Sequence, residues 1–329
     1  MTVDLPRLAS WLSCPVCSAD LEPVDRLTLG CANGHRHDVN KRGYVSLLGG
    51  GTKHLGDTAE MLDARDLVLE GGAYSPIADA VARAVAGTLG RTVGDANGQS
   101  DGHAIGGHAI DEVDGPAGRA AGNADDGAPA DAAIGTVDAR RPTSGTGSRV
   151  LDAGAGTGYY LRAALGASPG TVGVAMDLSP QAVARAVRAS DRVDGLVADT
   201  WRPLPVRSGI VDAVLDVFAP RNLPEFHRVL RPGGSLVVVV PRPDHLGSLR
   251  AAGTMLDIPS DKAEDVVTAA EPLYALQTRE AVEYDLALTD ALRAALAGMG
   301  PSARHTLEGG PAPVDTTRVA VDVLRLTRR

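Results

Sequence analysis

The chain has 329 residues, 44% hydrophobic and 22% charged, and its longest apolar run, SLVVVVP, is strand-length, well short of the roughly 20 residues a membrane-spanning helix requires. A formal net charge of -9 and a pI near 5.4 argue, averaged over the whole chain, against a nucleic-acid partner. The charge is unevenly spread, however: from Arg91 to Ser148 four arginines stand against nine acidic residues, so five of the nine net negative charges belong to one segment and a basic face elsewhere is permitted.

All three cysteines lie in one N-terminal stretch, CPVCSADLEPVDRLTLGCANGH, from Cys14 to His35. The odd count, and a preceding MTVDLPRLASWLS without the basic start and apolar run of a secretory leader, favour a reducing compartment, the cytoplasm, and metal over disulfides. Cys14-x2-Cys17 and Cys31-x3-His35 offer two ligand pairs that close a tetrahedron around Zn²⁺. With no vacant position, such a zinc is structural and holds together a module too small to fold on its core alone. Pro15 and Gly34 suit the two knuckle turns, VDRLTLG between them reads as a strand, and His37 is an alternative to His35 as fourth ligand.

Residues 51–90 carry helical periodicity, DTAEMLDARDLVLEGGAYSPIADAVARAVAG, broken at Gly71 and Gly72 into a connecting pair of helices. Residues 91–148 are almost entirely Gly, Ala, Asp, Thr, Ser and Pro, a composition that cannot bury enough surface to offset chain entropy, and GHAI occurs twice, at Gly102 to Ile105 and Gly107 to Ile110. This segment reads as a disordered insertion, with His103 and His108 as linker residues. From Arg149 to the end, strand and helix patterns alternate, giving four parts: 1–50, 51–90, 91–148 and 149–329.

RVLDAGAGTGYYLRAAL is an apolar strand, a glycine loop and a helix, and Gly154, Gly156 and Gly158 let the backbone turn tightly against a ligand near the helix N-terminus. A dinucleotide fingerprint wants a further glycine where Tyr159 stands. The next strand, TVGVAMD, ends in Asp177, at the distance where an acid accepts hydrogen bonds from ribose hydroxyls, and VDGLVADTWRPLP places Asp199 to meet an adenine amine. A fourth strand, GIVDAVLDVFAP, and a fifth after a PGG turn, LRPGGSLVVVVP, complete an open α/β sheet. Two acids on consecutive strands after this loop favour S-adenosylmethionine (SAM) over a dinucleotide. The fold class is therefore α/β, a Rossmann-like SAM-dependent methyltransferase domain with a small N-terminal zinc-binding β module.

The stretches CPVC...CANGHRHDVNKRGYVSLL, GDTAEMLDARDLVLEGGAYSPI and VFAPRNLPEFHRVLRPGGSLVVVVPRPDHL resemble the bacterial 23S rRNA guanine-N1 methyltransferases, whose Gram-positive branch includes tylosin-resistance enzymes. The resemblance covers nearly everything outside the 91–148 segment. It implies zinc on Cys14, Cys17, Cys31 and His35, and SAM contacts from Tyr74, the loop Gly154, Gly156, Thr157 and Gly158, Asp177 and His245, with Asp199 joining them from the strand reading. It also implies methylation of guanine N1 in the hairpin 35 region of 23S rRNA near the peptide exit tunnel, and a homodimer whose cleft holds RNA. Ala155 and Thr157 stand where the family often has Cys and Glu, His37 where an aromatic is usual, and Asp216 where some relatives have Arg. N1 loses a proton as it gains a methyl, for which Asp216 is the candidate acceptor. Phe218 and Pro220 are candidates for contact with the guanine face, and Arg36, Lys41 and Arg42 for RNA phosphates. A small-molecule methyltransferase and a non-catalytic RNA-binding protein are the alternative readings.

Overall fold

The computed structural model describes residues 3–49, 56–90, 147–251, 258, 261–300 and 314–329; the segment 91–146, with both GHAI copies, lies outside them. Helix α1 (Leu5–Ala9) starts where the Asp4 carboxylate accepts the Arg7 backbone N–H at 3.0 Å. Strands β1 (Glu22–Asp25) and β2 (Thr28–Gly30) form a hairpin, so the stretch VDRLTLG is two strand ends around a turn at Arg26 and Leu27, and not the single strand its apolar pattern suggests. The turn is set locally, by the Asp25 carboxylate accepting the Arg26 N–H. Then come β3 (Arg36–Asn40) and β4 (Tyr44–Ser46), followed by the expected helical pair, α2 (Ala59–Glu70) and α3 (Ser75–Thr88), joined where Gly72 takes a φ of 79°.

The alternating half begins with β5 (Arg149–Ala153), α4 (Tyr159–Gly166), β6 (Val172–Asp177), α5 (Pro180–Arg188) and β7 (Val193–Val197). It continues through β8 (Val211–Val217), α6 (Leu223–Val229), β9 (Leu230–Pro241), α7 (Gly247–Ala251) and α8 (Lys262–Ala270), and ends in β10 (Tyr274–Ala287), α9 (Asp290–Gly298) and β11 (Thr316–Arg328). The PGG turn is a kink inside β9: Gly233 has a φ of 74°, and regular pairing with β8 resumes at Ser235. These elements build one sheet in the order β1-β2-β3-β4-β7-β6-β5-β8-β9-β11-β10. Strands β4 to β9 are mutually parallel, and β11 runs antiparallel between β9 and β10. Central strands such as VDGLV in β7 are buried along their whole length because apolar layers cover both faces of the sheet. The chain runs outward from β5 to β7 on one side and from β8 to β9 on the other, so the topological switch, where ligands collect, lies between β5 and β8.

The boundary expected near residue 50 is bridged by the sheet itself. β4 pairs in parallel with β7, Tyr44 beside Gly195 and Ser46 beside Val197. Gly195 is required there, since a Cβ would lie 2.5 Å from the Tyr44 Cβ. Two arginines fasten the same junction. Arg7 forks onto Asp194 at 2.7 and 2.9 Å, and Arg207 donates to the carbonyls of Ala9, Leu12 and Leu21. The N-terminal module is thus an extension of the parallel sheet.

Candidate functional site

At the zinc end, knuckle turns after α1 and between β2 and β3 bring Cys14, Cys17, Cys31 and His35 together, every ligand atom within 4.8 Å of the others. The Cys17 and Cys31 Sγ atoms are 3.7 Å apart, and Cys31 Sγ is 3.4 Å from His35 Nδ1. Bond lengths of about 2.3 Å to sulfur and 2.0 Å to nitrogen give tetrahedral edges of about 3.8 and 3.5 Å, so the donor set fits Zn²⁺. Hydrogen bonds from Asn33 and the Ala19 backbone draw the Cys17 thiol down to about 6, toward the thiolate that metal binding needs. His37 Nε2 stands 3.6 Å from Cys14 Sγ alone, which makes it a neighbour of one ligand and leaves His35 as the fourth.

In the middle of the sheet, a cavity of about 440 Å³ opens over the switch point between β5 and β8. Asp152, Gly154 and Ala155 line it from β5 and its loop, Val217 and Phe218 from β8, and Tyr74, Tyr160 and His245 from α3, α4 and the end of β9. The rings form a box: Phe218 stacks on His245 at 5.9 Å, and the Tyr74 centroid lies 6.3 Å from Phe218 and 6.1 Å from His245. Asp152 is 1% exposed, its Oδ2 has no partner among the described residues, and burial, with Asp177 nearby, pushes its carboxyl up to about 8. Ring faces suit a ligand that carries positive charge, as the sulfonium of SAM does, and such a charge would in turn favour ionisation of the otherwise neutral Asp152 carboxyl. The glycine loop supplies the cradle. Gly156 has a φ of 54°, and a Cβ there would meet the Arg65 guanidinium at 2.7 Å.

His245 is 7% exposed, and burial together with Arg250 lowers its pKa to about 4. Its Nδ1 accepts the Ala320 backbone N–H at 3.2 Å, so the neutral ring carries its proton on Nε2, which points at Tyr74 Oη 3.5 Å away. A ring fixed in that tautomer is a donor into the cavity and has no free lone pair to serve as a base. Phe218 adopts a left-handed φ of 55°, strained for a side chain with a Cβ, and is 40% exposed at the mouth.

Several sequence candidates lie elsewhere. Asp216 is fully buried, does not line the cavity, and is closed over by the turn that follows, with Arg221 Nε 3.6 Å away; burial raises its carboxyl well above the usual range. Thr157 faces a second cavity with Arg162, Arg185 and Arg188. The Asp177 carboxylate accepts the backbone N–H groups of Gly156 and Ser179, both at 2.9 Å, bracing the glycine loop, and Asp199 accepts the Trp201 N–H at 3.0 Å. Pro220 is exposed in the turn after β8. Arg36, Lys41 and Arg42 are all exposed, but the structure separates them. Asn40 pairs with Tyr44 and Val39 with Val45, so β3 runs back from the Lys41–Arg42 turn, at the edge away from the cavity, to Arg36 toward the cavity edge. At about 3.3 Å per residue that distance is on the order of 15 Å. Arg65 of α2 lines the cavity and has no signature in the sequence; only the packing of α2 over the loop brings it there.

Two family models match the chain: a zinc ribbon described as RlmA, N-terminal, over residues 12–54, and a methyltransferase domain over residues 150–234. A Micromonospora griseorubida protein provisionally named 23S rRNA (guanine-N(1)-)-methyltransferase is 36% identical over 325 residues, covering 96% of this chain and 92% of its own. The 23S rRNA (guanine(748)-N(1))-methyltransferase of Streptomyces fradiae is 34% identical, covering 91% and 88%. This chain belongs to the 23S rRNA (guanine-N1)-methyltransferase family. A Bacillus subtilis (strain 168) member, also provisionally named, is 28% identical over 73% of this chain and 68% of its own. The zinc-ribbon model spans all four ligands, and the methyltransferase model spans the loop, Asp177, Asp199 and Phe218. Tyr74, Arg65 and His245, which complete the cavity, fall outside both. The chain is a SAM-dependent methyltransferase with a structural zinc ribbon, and each cofactor has a site whose residues fit it. Among the described residues, no helix is long and apolar enough to cross a membrane.

Proposed function

We propose that this chain methylates N1 of one guanine in the hairpin 35 region of 23S rRNA, acting in the cytoplasm as a homodimer, and that the modification contributes to macrolide resistance. The observation that carries the reading is the union, in one sheet, of a zinc ribbon and a cation-suited cavity at the switch point, in a chain whose relatives of nearly equal length are named for that reaction. A small acceptor has no need of an appended ribbon whose strand β3 places Arg36 toward the cavity edge of the sheet.

When bound, SAM supplies an electrophilic methyl group on a positively charged sulfur. The rings of Tyr74, Tyr160 and Phe218 exclude water and favour that charge, which in turn would draw the Asp152 carboxyl into its ionised form. Asp177 and Asp199 hold the nucleoside end, the former while bracing the loop through Gly156. The Nε2 proton of His245 is a fixed donor within the cavity. Phe218, exposed and held in a strained backbone, offers a ring face for a guanine withdrawn from its stack, with Pro220 beside it. Asp216 enters this reading as acceptor of the N1 proton, which requires the turn from Ala219 to Arg221 to open, because here it lies outside the cavity wall.

A methyl on N1 blocks Watson–Crick pairing, so reverse transcriptase halts beside it. Primer extension on 23S rRNA from cells with and without the gene should show one added stop in the hairpin. Identical patterns, with radiolabelled SAM marking a metabolite instead, would transfer the activity to a small-molecule acceptor.

A further inference from the structure

The cavity wall carries three cations, Arg65, Arg250 and Lys262, and they are held differently. Lys262 interacts with Asp216 and Arg221, on the side of the turn after β8, and Arg250 bonds to the Pro243 carbonyl. Arg65 belongs to the glycine loop. Its Nη1 lies over Gly156, where a Cβ would approach to 2.7 Å, and it pairs with Asp57 Oδ2 at 2.7 Å. Its Nη2 donates to the Met299 carbonyl at 3.1 Å. Those contacts draw on two of the five donors of a guanidinium and fix the plane of the fork, while a quarter of the side chain remains exposed. The same cavity is lined by Asp152, 1% exposed, with one oxygen that has no partner among the described residues. One rigid cation and one buried carboxyl group, which an ammonium placed beside it would ionise, both line a pocket beside the loop and match the two charges of an α-amino acid.

We propose that Arg65 is the cofactor-positioning residue that binds the α-carboxylate of the methionine moiety of SAM, held in place for that purpose by Asp57 and Met299. This inference rests on the reading that the cavity holds SAM. It differs from a merely structural role, in which Arg65 would only balance the charges of Asp57 and Asp177 and so keep the ribose-binding strand end in order. The two roles act on different parts of the cofactor, the first on the amino-acid end and the second on the nucleoside.

The test is calorimetric titration of full-length protein, without RNA or turnover, using S-adenosylhomocysteine and 5′-methylthioadenosine, which shares the nucleoside and thioether but lacks the amino acid. Arg65→Ala should weaken S-adenosylhomocysteine by roughly 10- to 100-fold, the range for a lost charged hydrogen bond, and leave methylthioadenosine within about twofold. Arg65→Lys should recover part of the difference, as a point charge without the fork. If Arg65→Ala does not fold, Arg65→Gln, which keeps bulk and donors but no charge, takes its place with the same expectation. An equal loss for both ligands, or none for either, would overturn the assignment. Wild-type protein that bound neither ligand would instead remove SAM from the cavity altogether.

Discussion

The zinc end and the cofactor end of this molecule are built from opposite kinds of sequence information. The four zinc ligands lie within 22 residues, and two short turns gather them almost irrespective of the rest of the chain. The cofactor cavity draws on α2, α3, β5, α4, β8, the end of β9, α7, α8 and α9, from Arg65 to Gly300, and exists only once the sheet has formed. A local site is encoded by spacing and a distributed one by topology. The two ends should therefore respond differently to perturbation.

The largest effect is expected from the metal. Cys14→Ser should release about one zinc per chain, by elemental analysis, and open the β1 to β3 ribbon to hydrogen exchange, because structural zinc contributes of order 10 kcal/mol to such modules. S-adenosylhomocysteine affinity should change by less than about threefold, since no zinc ligand lines the cavity. A matching collapse of cofactor binding would show that the two ends are one cooperative unit. A smaller effect divides the ribbon itself. Arg36→Ala should weaken rRNA binding more than Lys41→Ala and Arg42→Ala together, and reduce the salt slope by about 1, because only Arg36 lies toward the cavity edge.

A third effect separates the ends by pH. Burial raises the folded pKa of Asp152 to about 8, above an unfolded value near 4. The folded state then binds the proton more tightly than the unfolded one, so this group's stability is full below pH 4 and is lost as pH rises through 8. Asp152→Asn removes that loss, and its Tm advantage over wild type should grow from pH 4 to 8 and then level off. His245, lowered to about 4, acts in the opposite sense between pH 4 and 6.5 but is common to both proteins and cancels in the difference. A Tm difference independent of pH would mean that Asp152 is ionised in the folded state.

The same contrast explains what was legible in the sequence. Cysteine spacing identified the zinc ligands, and the order of glycine loop, Asp177 and Asp199 identified the parallel strands, since each signal is local. Strand-end position says nothing of which way a side chain faces: Asp216 is fully buried and absent from the cavity lining, whereas its neighbour Val217 lines the cavity, so only the proposed opening of the following turn would bring Asp216 to a substrate. Arg36, Lys41 and Arg42 are close in sequence, but an extended strand carries the first away from the other two. The antiparallel pairing of β10 with β11 across α9 has no clear sequence signal, because β10 alternates weakly and exposes Leu276, Gln277, Thr278 and Arg279 in succession. The join between ribbon and sheet was invisible for another reason. It depends on Gly195 and Tyr44, two residues that acquire meaning only when paired.

That join has a further consequence for the border of the parallel sheet. Without β4, strand β7 would present a row of unpaired backbone donors and acceptors along VDGLV, an apolar segment with the character of a self-associating template. The ribbon therefore also serves as a selvedge, finishing a raw border that would otherwise recruit other chains.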